Sequence, residues 1–494
     1  MNYRGMLLSM ALAALFSQPL FAADWPQWRG PNQDGIAAAS PALVDTLTPE
    51  TMKKVWESEP IPSGDIGGFS QPAVADDRVY VIQSIRHLSL GTLVNELTEG
   101  GKVPAEELAK LGPIPEKNFV CLADFEDWLK TRDVSPEAIE AILQPVGTVK
   151  RDTRPPASRG YLWSYVGTKR TAATDVLWAF DRKTGKTIYK TEFPGQWLSY
   201  PVSSTPTVVD GRVYILSSNA VAHCIDAATG KQIWECPLIK KPRFQHCRAS
   251  SPILIDGKII VACEGEVAGI DAKTGEKIWS NTKTPGKEAT AVAHKFGDRT
   301  VAIFAGATFG TSRPDERRIS ALDPATGETI WVTEVGQTSS MPVIANGVCV
   351  LSSRSEAPGV VAYKVDEKQA EVIWTVPFIN SNASMEFNYP CPVIDNGFVY
   401  IAGRSKAFCL ELTTGEVKWT TNLPGAVLGS GILADGKILH SAGQDMVMFR
   451  ATPEKFDLLG RVKDVTVHYS TPAFAGGFLF VRAYNNIVCY DLRK

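Results

Sequence analysis

A degenerate repeat constrains the fold of this chain more strongly than any other feature of its sequence. Five segments share a short apolar run, usually an Asp, a Thr-Gly pair and an aromatic residue at the fourth position after the glycine. Residues 361–374 and 447–459 are degenerate copies of the repeat that lack the Thr-Gly pair. A period of this kind indicates a repeat architecture. The repeat glycines are Gly185, Gly230, Gly275, Gly327 and Gly415, and the first two intervals are 45 residues each.

Each repeat predicts one four-stranded antiparallel sheet. The glycine supplies a positive-φ turn between two strands, and the flanking runs are rich in Val, Ile and Tyr. A second strand pair around Asp-Gly or Asn-Gly lies upstream, as in residues 206–218. One such sheet cannot bury both of its faces, so the units must stack. The predicted docking anchors between sheets are the recurring aromatic residues Trp56, Tyr189, Trp234, Trp279, Trp331, Trp374 and Trp419.

The number of strand pairs predicts a closed ring. The last unit ends after three strands, and residues 52–59, which carry Trp56, supply the missing fourth strand. We therefore predict an all-β fold, an eight-bladed β-propeller of four-stranded antiparallel blades over residues 51–494, closed by the N-terminal strand. Residues 24–50 form an N-terminal extension. A solenoid is the alternative, and it would need polar capping repeats at both ends. The eight strand pairs begin near Ser70, Thr205, Ser251, Ala289, Ser340, Pro390, Leu428 and Thr471.

The first residues predict export. Arg4 precedes an apolar run from Met6 to Phe16, which is too short to span a bilayer. We expect residues 1–23 to be a signal peptide that is cleaved near Ala22/Ala23, so that the mature protein is periplasmic or secreted. A buried N-terminal helix is the alternative. No Cys follows the apolar run, and no later apolar stretch has membrane-spanning length, so we expect neither a lipid anchor nor a membrane span.

The Asp-x-x-Thr-Gly-x-x-x-Trp repeats resemble those of the quinoprotein-like, or PQQ-like, β-propeller family. This superfamily includes the alcohol dehydrogenases that use pyrroloquinoline quinone (PQQ) and the assembly lipoprotein of the outer-membrane β-barrel machinery. Residues 24–35, DWPQWRGPNQDG, resemble the N-terminus of exported propellers of this type. The resemblance covers nearly all of the chain outside residues 87–172. It implies the fold, whereas functions differ among proteins that share such a scaffold.

One face of the predicted ring carries its unusual sequence. In a propeller, the connections from the second to the third strand and from the fourth to the first strand open on the same side. Residues 87–172 interrupt the first unit between its second and third strands and contain helical patterns at 88–97, 104–111 and 135–143. Ser135 is the predicted N-cap of the last of these helices. We expect this insertion to be a lid or a partner-binding element at the channel mouth; a loop without function is the alternative.

The fourth-to-first connections carry polar and aromatic residues towards the same mouth. His, Arg, Tyr and carboxylate side chains at a channel mouth suit a polar or anionic ligand, for example an oligosaccharide. Arg248 could instead pair with Glu386 or Asp65. The candidate binding residues are Trp197, Tyr200, Gln245, His246, Arg248, Glu386, Asn388, His468 and Tyr469.

Three functions stay open at this point. A scaffold that binds a protein or a small ligand needs no catalytic residues, and we favour it. The resemblance implies a PQQ- and calcium-dependent dehydrogenase as one alternative, with Glu386 and Asn388 as candidate sources of calcium ligands. The chain lacks both the adjacent Cys pair that is usual in those enzymes and a Cys-x-x-Cys-His haem motif. A glycan lyase or hydrolase that uses the His, Arg and Tyr residues of the mouth is the other alternative.

The amino-acid composition limits the classes of ligand and partner that the protein is expected to bind. Lys and Arg number 51 against 53 Asp and Glu, so the net charge of −2 provides no global field that would attract nucleic acid. Six His residues and the absence of Cys-x-x-Cys predict no metal site. We therefore expect no cofactor, and PQQ with calcium enters only with the dehydrogenase alternative.

Overall fold

The structure is a computed structural model of the 494-residue chain. The residues that it describes are 24–37, 39–63, 68–88, 94, 97–101, 103–113, 122–143, 171–196, 201–239, 250–263, 265–283, 289–305, 318–334, 340–352, 359–377, 390–427, 429–465 and 470–494.

Eight antiparallel sheets form the blades of a β-propeller, and the fold class predicted from the sequence is confirmed. We label the strands of each blade A to D from the channel outwards. Strand A of blade 1 contacts strand A of blades 2 and 8, as expected for strands that surround a channel. In blade 6, one 14-residue element, Phe398–Glu411, takes the place of strands B and C.

The bounds of the strands follow the repeat from blade 1 to blade 8. Strands A are Ala73–Ala75, Thr207–Val209, Ile253–Ile255, Val292–Phe296, Val343–Ala345, Val393–Asp395, Ile432–Ala434 and Ala473–Ala475. Strands B, without blade 6, are Arg78–Leu88, Arg212–Leu216, Lys258–Cys263, Arg299–Ala305, Val348–Ser352, Lys437–Ala442 and Phe478–Arg482. Strands C, without blade 6, are Thr171–Asp181, Val221–Asp226, Glu266–Asp271, Arg318–Leu322, Val360–Val365, Asp445–Arg450 and Ile487–Asp491. Strands D are Thr187–Gly195, Gln232–Pro237, Lys277–Asn281, Thr329–Glu334, Ala370–Val376, Val417–Val427, Leu458–Val462 and Lys53–Glu57.

The two ends of the chain meet in blade 8. Strand D of this blade, Lys53–Glu57, pairs antiparallel with strand C, Ile487–Asp491, and places Trp56 opposite Cys489. Trp56 Nε1 donates a hydrogen bond to the carbonyl of Arg182 in blade 1 at 2.8 Å. The N-terminal strand therefore completes the last sheet and also joins it to the first, which closes the ring.

Every outer strand contains a β-bulge before its docking position. In blade 2 the register shifts between Gln232 and Trp234, so that Ile233 is the extra residue and its side chain is exposed. A bulge re-aims the next side chain, and the irregular edge disfavours pairing with the edge of another sheet. The other shifts lie at Lys54/Trp56, Thr187/Tyr189, Lys277/Trp279, Thr329/Trp331, Val372/Trp374, Val417/Trp419 and Leu458/Gly460.

The bulge turns each aromatic residue towards the following blade. Trp234 Nε1 donates to the carbonyl of Ala272, one residue after the turn aspartate of blade 3, at 3.1 Å. The six docking tryptophans are all buried, and Tyr189 is partly buried. The equivalent contacts join Trp56 to Arg182, Tyr189 to Ala227, Trp279 to Pro324, Trp331 to Asp366, Trp374 to Leu412 and Trp419 to Thr452.

The turn that receives the aromatic ring is built by the Asp, Thr and Gly of the repeat. Asp271 Oδ1 accepts hydrogen bonds from the Thr274 backbone N–H at 2.8 Å and from its hydroxyl at 3.0 Å, and these bonds lower the pKa of the Asp271 carboxyl. Gly275 follows with φ of +78°. A Cβ at this position would lie 2.6 Å from Trp234 Cδ2, so both the backbone conformation and the close approach of the ring require glycine.

The insertion has a core of its own. Helices α1 (Ala105–Ala109), α2 (Leu122–Lys130) and α3 (Pro136–Leu143) lie within it. The Ser135 hydroxyl accepts a hydrogen bond from the Ala138 N–H at 3.2 Å, as a cap of α3 should. The helices thus have packing partners in one another, and the place of the insertion over the channel mouth stays a proposal. The buried core residues are Leu97, Val103, Leu108, Leu111, Phe125, Leu129, Val134, Ala138 and Ile142.

Candidate functional site

The direction of the strands defines two faces of the ring. The turns from strand A to B and from C to D lie on one face, here called the lower face. The connections from B to C and from D to A lie on the opposite, upper face. Strands B and C of blade 1 stay paired as far as Leu88 and Thr171, so the insertion leaves the ring on the upper face. All nine predicted binding residues, namely Trp197, Tyr200, Gln245, His246, Arg248, Glu386, Asn388, His468 and Tyr469, lie outside the described residues.

Residues 24–37, here called the channel plug, run along the inner strands of the ring. Sequence reasoning assigned no role to this segment. Trp25 forms an antiparallel bridge with Val74 in strand A of blade 1, through backbone hydrogen bonds of 2.9 and 2.8 Å. The Pro26 carbonyl accepts a hydrogen bond from the Val208 N–H in blade 2 at 2.8 Å. The Trp25 side chain is completely buried.

The plug enters the channel from the lower face. The Asp24 carboxylate accepts hydrogen bonds from Arg182 Nη1 at 2.8 Å and from the Asp76 backbone N–H at 2.9 Å. Both partners belong to lower-face turns of blade 1. This polar contact fixes the start of the plug beside the first blade.

The middle of the plug crosses to the opposite side of the ring. Gln33 Nε2 donates to the Ala291 carbonyl at 2.8 Å, and Gln33 Oε1 accepts from the Ala293 N–H at 3.1 Å, both in blade 4. Arg29 Nη2 donates to the carbonyl of Pro392, directly before strand A of blade 6, at 2.7 Å. Together with the bond between Pro26 and Val208, these contacts attach one short segment to blades 2 and 6, which face each other across the ring, and to blade 4.

The plug returns to the lower face beside blade 7. Ile36 and Ala37 form a short parallel pair with Leu433 and Ala434 of strand A. The chain then reaches Leu43, whose N–H donates to the carboxylate of the lower-face residue Asp435 at 2.8 Å. Through backbone pairing and the hydrogen bonds named above, the plug is thus attached to blades 1, 2, 4, 6 and 7, and it crosses the central channel. The sequence signal of the plug, the stretch DWPQWRGPNQDG at residues 24–35, occurs once, so no periodicity could place it in the ring.

Arg29 is completely buried at the crossing point of the plug. Both hydrogen bonds of its side chain go to backbone carbonyls, of Asp34 and Pro392, while Nε and Nη1 have no hydrogen-bond partner. Burial, together with the nearby charge of Arg29, lowers the pKa of His440 to about 4. A neutral imidazole therefore lies near this guanidinium at physiological pH.

A belt of buried hydroxyl groups joins the blades at the upper ends of the A strands. The Thr205 N–H donates to Ser251 Oγ at 2.9 Å, and the Ser251 N–H donates to Thr290 Oγ1 at 3.0 Å. The same bond runs from Cys391 to Ser430 at 2.9 Å and from there to Thr471 at 2.8 Å. The short Ser/Thr motif before most A strands is a sequence signal for this belt that motif reasoning missed.

A buried acid lies at the root of the insertion. The Asp175 carboxylate accepts hydrogen bonds from the Ser84 hydroxyl at 2.6 Å and from the Ser218 N–H at 2.5 Å. The Ser84 oxygen in turn accepts from the Val202 N–H at 2.9 Å. Burial raises the pKa of Asp175. The network ties strands B and C of blade 1, which carry the insertion, to blade 2.

The dehydrogenase alternative requires a site for a quinone with calcium. Among the described residues, no group of three or more His, Cys, Asp or Glu side chains is arranged to hold a metal ion. The candidate oxygen donors Glu386 and Asn388 lie outside this part of the chain.

Eight sheets joined by tryptophans that dock on the turn of the next repeat define a β-propeller of the quinoprotein-like class. A family model described as "Outer membrane protein assembly factor BamB" matches residues 147–308 and 315–489 of the chain. This match covers more than half of the sequence, so the chain belongs to that family.

Individual relatives are more distant. The chain is 31% identical over 140 residues to a quinohemoprotein alcohol dehydrogenase of Comamonas testosteroni, a match that covers 26% of this chain and 19% of the relative. It is 22% identical over 283 residues to the outer membrane protein assembly factor BamB of Yersinia pestis, covering 56% and 66%. A tetrathionate hydrolase of Acidithiobacillus ferrooxidans is 21% identical over 286 residues, covering 55% and 54%. The chain thus spans less than two thirds of the length of each of these relatives.

Among solved structures, BamB from Moraxella catarrhalis superposes with a TM-score of 0.47 and 13% sequence identity, covering 64% of this chain and 88% of that chain. Within the described part of this chain, no helix is long and apolar enough to cross a membrane.

Proposed function

We propose that this protein is an exported, non-catalytic scaffold that binds another protein through its upper face and insertion. The observation that carries the proposal is the channel plug, since Trp25, Gln33 and Ile36 use the channel interior for contacts within the chain. Binding surfaces then belong on the outside of the ring. The upper face is the side from which the 87–172 insertion projects, with helices whose core is independent of the blades.

Similarity to BamB supports a protein as the partner. The family description and the Yersinia pestis relative both name an outer membrane protein assembly factor. Such a role operates outside the cytoplasm, in agreement with the signal peptide predicted at residues 1–23 and cleaved near Ala22/Ala23. A polar or anionic small ligand at the nine predicted mouth residues is a compatible second occupant of the same face.

The dehydrogenase alternative is supported by similarity to alcohol dehydrogenases, such as the 31% identity with the quinohemoprotein alcohol dehydrogenase of Comamonas testosteroni. That match covers only 26% of this chain, and a shared repeat does not by itself imply shared chemistry. The glycan lyase or hydrolase alternative depends on His246, Arg248, His468 and Tyr469, and it stays a sequence prediction.

Two measurements test the proposal. The first titrates the mature protein with PQQ and calcium, follows tryptophan fluorescence, and then assays dye reduction with a panel of alcohols. We expect neither saturable quenching nor alcohol-dependent dye reduction. Stoichiometric binding accompanied by alcohol-dependent reduction would establish the dehydrogenase instead.

The second measurement places a photo-crosslinking residue at exposed Glu140 on α3, with exposed Lys273 on a lower-face turn as the control. In the native cell envelope we expect a discrete protein adduct from position 140 and none from position 273. Equal labelling at both positions, or none at either, contradicts a scaffold that acts through the insertion.

A further inference from the structure

The interface between blades 7 and 8 has no docking aromatic residue of its own. The strand register places Gly460 of strand D at the docking position of blade 7, opposite Met448 of strand C. In the other seven blades the docking aromatic residue lies opposite an alanine, cysteine or glycine. Blade 7 therefore has a large side chain on strand C and no side chain on strand D at this pair. The small residues of the other blades are Cys489, Ala179, Cys224, Gly269, Ala321, Ala362 and Cys409.

Residues 41–47, here called the clasp, lie where the missing aromatic side chain of blade 7 would dock. Leu47 forms a parallel bridge with Gly460. Leu43 and Leu47 are both buried, and they belong to one hydrophobic cluster with Leu492 of blade 8. A Cβ at Gly460 would overlap the carbonyl oxygen of Leu47, so the backbone of the clasp lies directly on this glycine. A segment from the other end of the chain therefore packs between blades 7 and 8.

The clasp also supplies the hydrogen bond that a docking tryptophan makes at the other interfaces. Trp234, for example, donates its indole N–H to the carbonyl of Ala272, the residue directly after strand C of the next blade. The corresponding carbonyl in blade 8 belongs to Leu492, directly after strand C of that blade. It accepts a hydrogen bond from the backbone N–H of Val44 at 2.9 Å. A backbone donor of the clasp thus replaces the indole donor.

The clasp differs from a docking tryptophan in how it can leave the interface. A docking tryptophan is a side chain of strand D, so it undocks only when two blades separate. The clasp is a separate segment, and the Leu47 N–H holds it to blade 7 by a hydrogen bond to the Leu459 carbonyl at 2.9 Å. The Leu43 N–H adds a bond to the carboxylate of Asp435 at 2.8 Å. Breaking such contacts leaves the strands of both sheets paired, which makes a local opening less costly than the separation of two blades.

We propose that the interface between blades 7 and 8 is the opening point of the ring, where the clasp detaches from blade 7 before any interface with a docking aromatic residue opens. The opening uncovers the outer edge of strand D of blade 7, Leu458–Val462, which the clasp covers at Gly460. It lies beside the lower-face residue Asp435. The proposed function assigns partner binding to the upper face, so the opening point is a separate feature of the ring.

The test measures amide hydrogen exchange of the mature protein at increasing urea, below the unfolding transition. We expect the amides of the clasp and of Leu458–Val462 to exchange through a local opening, whose rate depends little on urea because it exposes little surface. The amides of Lys277–Asn281, the strand that carries Trp279, should exchange through a larger opening with a steeper dependence on urea. The same rate and the same urea dependence in both strands would overturn the proposal.

Two leucine variants distinguish a local opening from unfolding of the whole ring. Leu47→Ala should raise exchange in Leu458–Val462 at least about tenfold, because the buried anchor of the clasp is lost. Thr46→Ala, which truncates the exposed neighbouring side chain, should leave it unchanged. Leu216→Ala removes a buried leucine of blade 2 and should raise exchange in Lys277–Asn281 but not in Leu458–Val462. If Leu216→Ala accelerates both strands equally, the interface opens only with the whole ring and the proposal is wrong.

Gly460→Ala tests the interface from the side of blade 7. Its φ is +145°, and the new methyl group would overlap the Leu47 carbonyl, so the clasp is displaced although its own sequence is unchanged. Exchange of the clasp amides should therefore rise. Gly211→Ala is the matched control, because this turn glycine of blade 2 has φ of +72° and open space around a Cβ. Equal exchange of the clasp in the two variants would contradict its docking on Gly460.

Discussion

Trp374 of blade 5 lies against Gly415 of blade 6 so closely that a Cβ at Gly415 would be 2.7 Å from Trp374 Cδ2. The aromatic residue of one repeat therefore acts together with the glycine of the next repeat. This relationship explains the degenerate copy at 361–374, which has lost its glycine and kept its tryptophan. The incoming Trp331 keeps the hydrogen bond that the other docking tryptophans make to a turn carbonyl, here that of Asp366 at 3.0 Å.

Gly415→Ala should destabilise the protein more than Gly257→Ala does. The two glycines have φ of +73° and +74°, but nothing lies within 4 Å of a Cβ at Gly257. The left-handed conformation costs alanine about 1–2 kcal/mol at either position. The overlap with Trp374 should add about 1–3 kcal/mol at Gly415 alone. Urea unfolding of the two variants measures the difference, and equal losses would show that the ring does not constrain Gly415.

Trp279→Ala should lower the free energy of unfolding by about 3–5 kcal/mol, as expected for a buried tryptophan. Its indole packs between blades 3 and 4 and donates to the Pro324 carbonyl at 3.0 Å. Ile278→Ala, at the neighbouring bulge residue, is the control, because that side chain is 44% exposed. Its loss should stay below about 1 kcal/mol. Similar losses in both variants would contradict the docking role of the tryptophan.

The repeat made the blades predictable because each blade has to pack one face of its sheet against the next blade. The pair formed by Trp234 and Gly275 recurs at fixed spacing, since five of the interfaces place an aromatic ring over a left-handed glycine turn. The closing strand with Trp56 was predictable for the same reason, because the last unit lacks its fourth strand and the N-terminal segment carries the aromatic residue of that strand. The channel plug occurs once, so no period marks it, and its contacts from Gln33 to Ala291 join residues far apart in the chain.

Closure through Trp56 should stabilise the C-terminal strand of the ring. We expect Trp56→Ala to increase the rate of amide hydrogen exchange in Ile487–Asp491, the strand that pairs with Lys53–Glu57. Exchange in blade 4, on the far side of the ring, should change least. Val55→Ala is the matched control, because the Val55 side chain is 46% exposed. Unchanged exchange in Ile487–Asp491 would show that closure does not depend on the docking of Trp56.

Gln33→Ala should destabilise the protein by about 1–3 kcal/mol, although Gln33 lies outside the blades. The substitution leaves the Ala291 carbonyl and the Ala293 N–H without the partners that lie at 2.8 and 3.1 Å in the wild type. Gln27→Ala, whose exposed amide bonds only to the Pro31 carbonyl, should have little effect. Chemical unfolding of both variants is the measurement. A neutral Gln33→Ala would mean that the plug is held only by its ends.

The stability of the protein should fall as the pH is lowered from about 6.5 to about 4, in part because of His440. Burial lowers the pKa of His440 to about 4, below its ordinary value of 6.5. The unfolded chain therefore binds a proton in this window that the folded protein does not, at about 1.4 kcal/mol per pH unit at most. His440→Gln removes this contribution and should flatten the dependence of the unfolding free energy on pH. Asp175, whose pKa is raised by burial, acts in the opposite direction but equally in both proteins.

His294→Gln is the control for this comparison. Burial lowers the pKa of His294 as well. The His294 side chain, on strand A of blade 4, is only partly buried, and its sequence neighbours Ala293 and Lys295 are exposed. Its removal should flatten the profile less than the removal of His440. Urea titrations across the pH window give the three slopes. Equal slopes for the wild type and His440→Gln would show that the imidazole beside Arg29 accepts a proton within the folded channel, and that the site there is open to water.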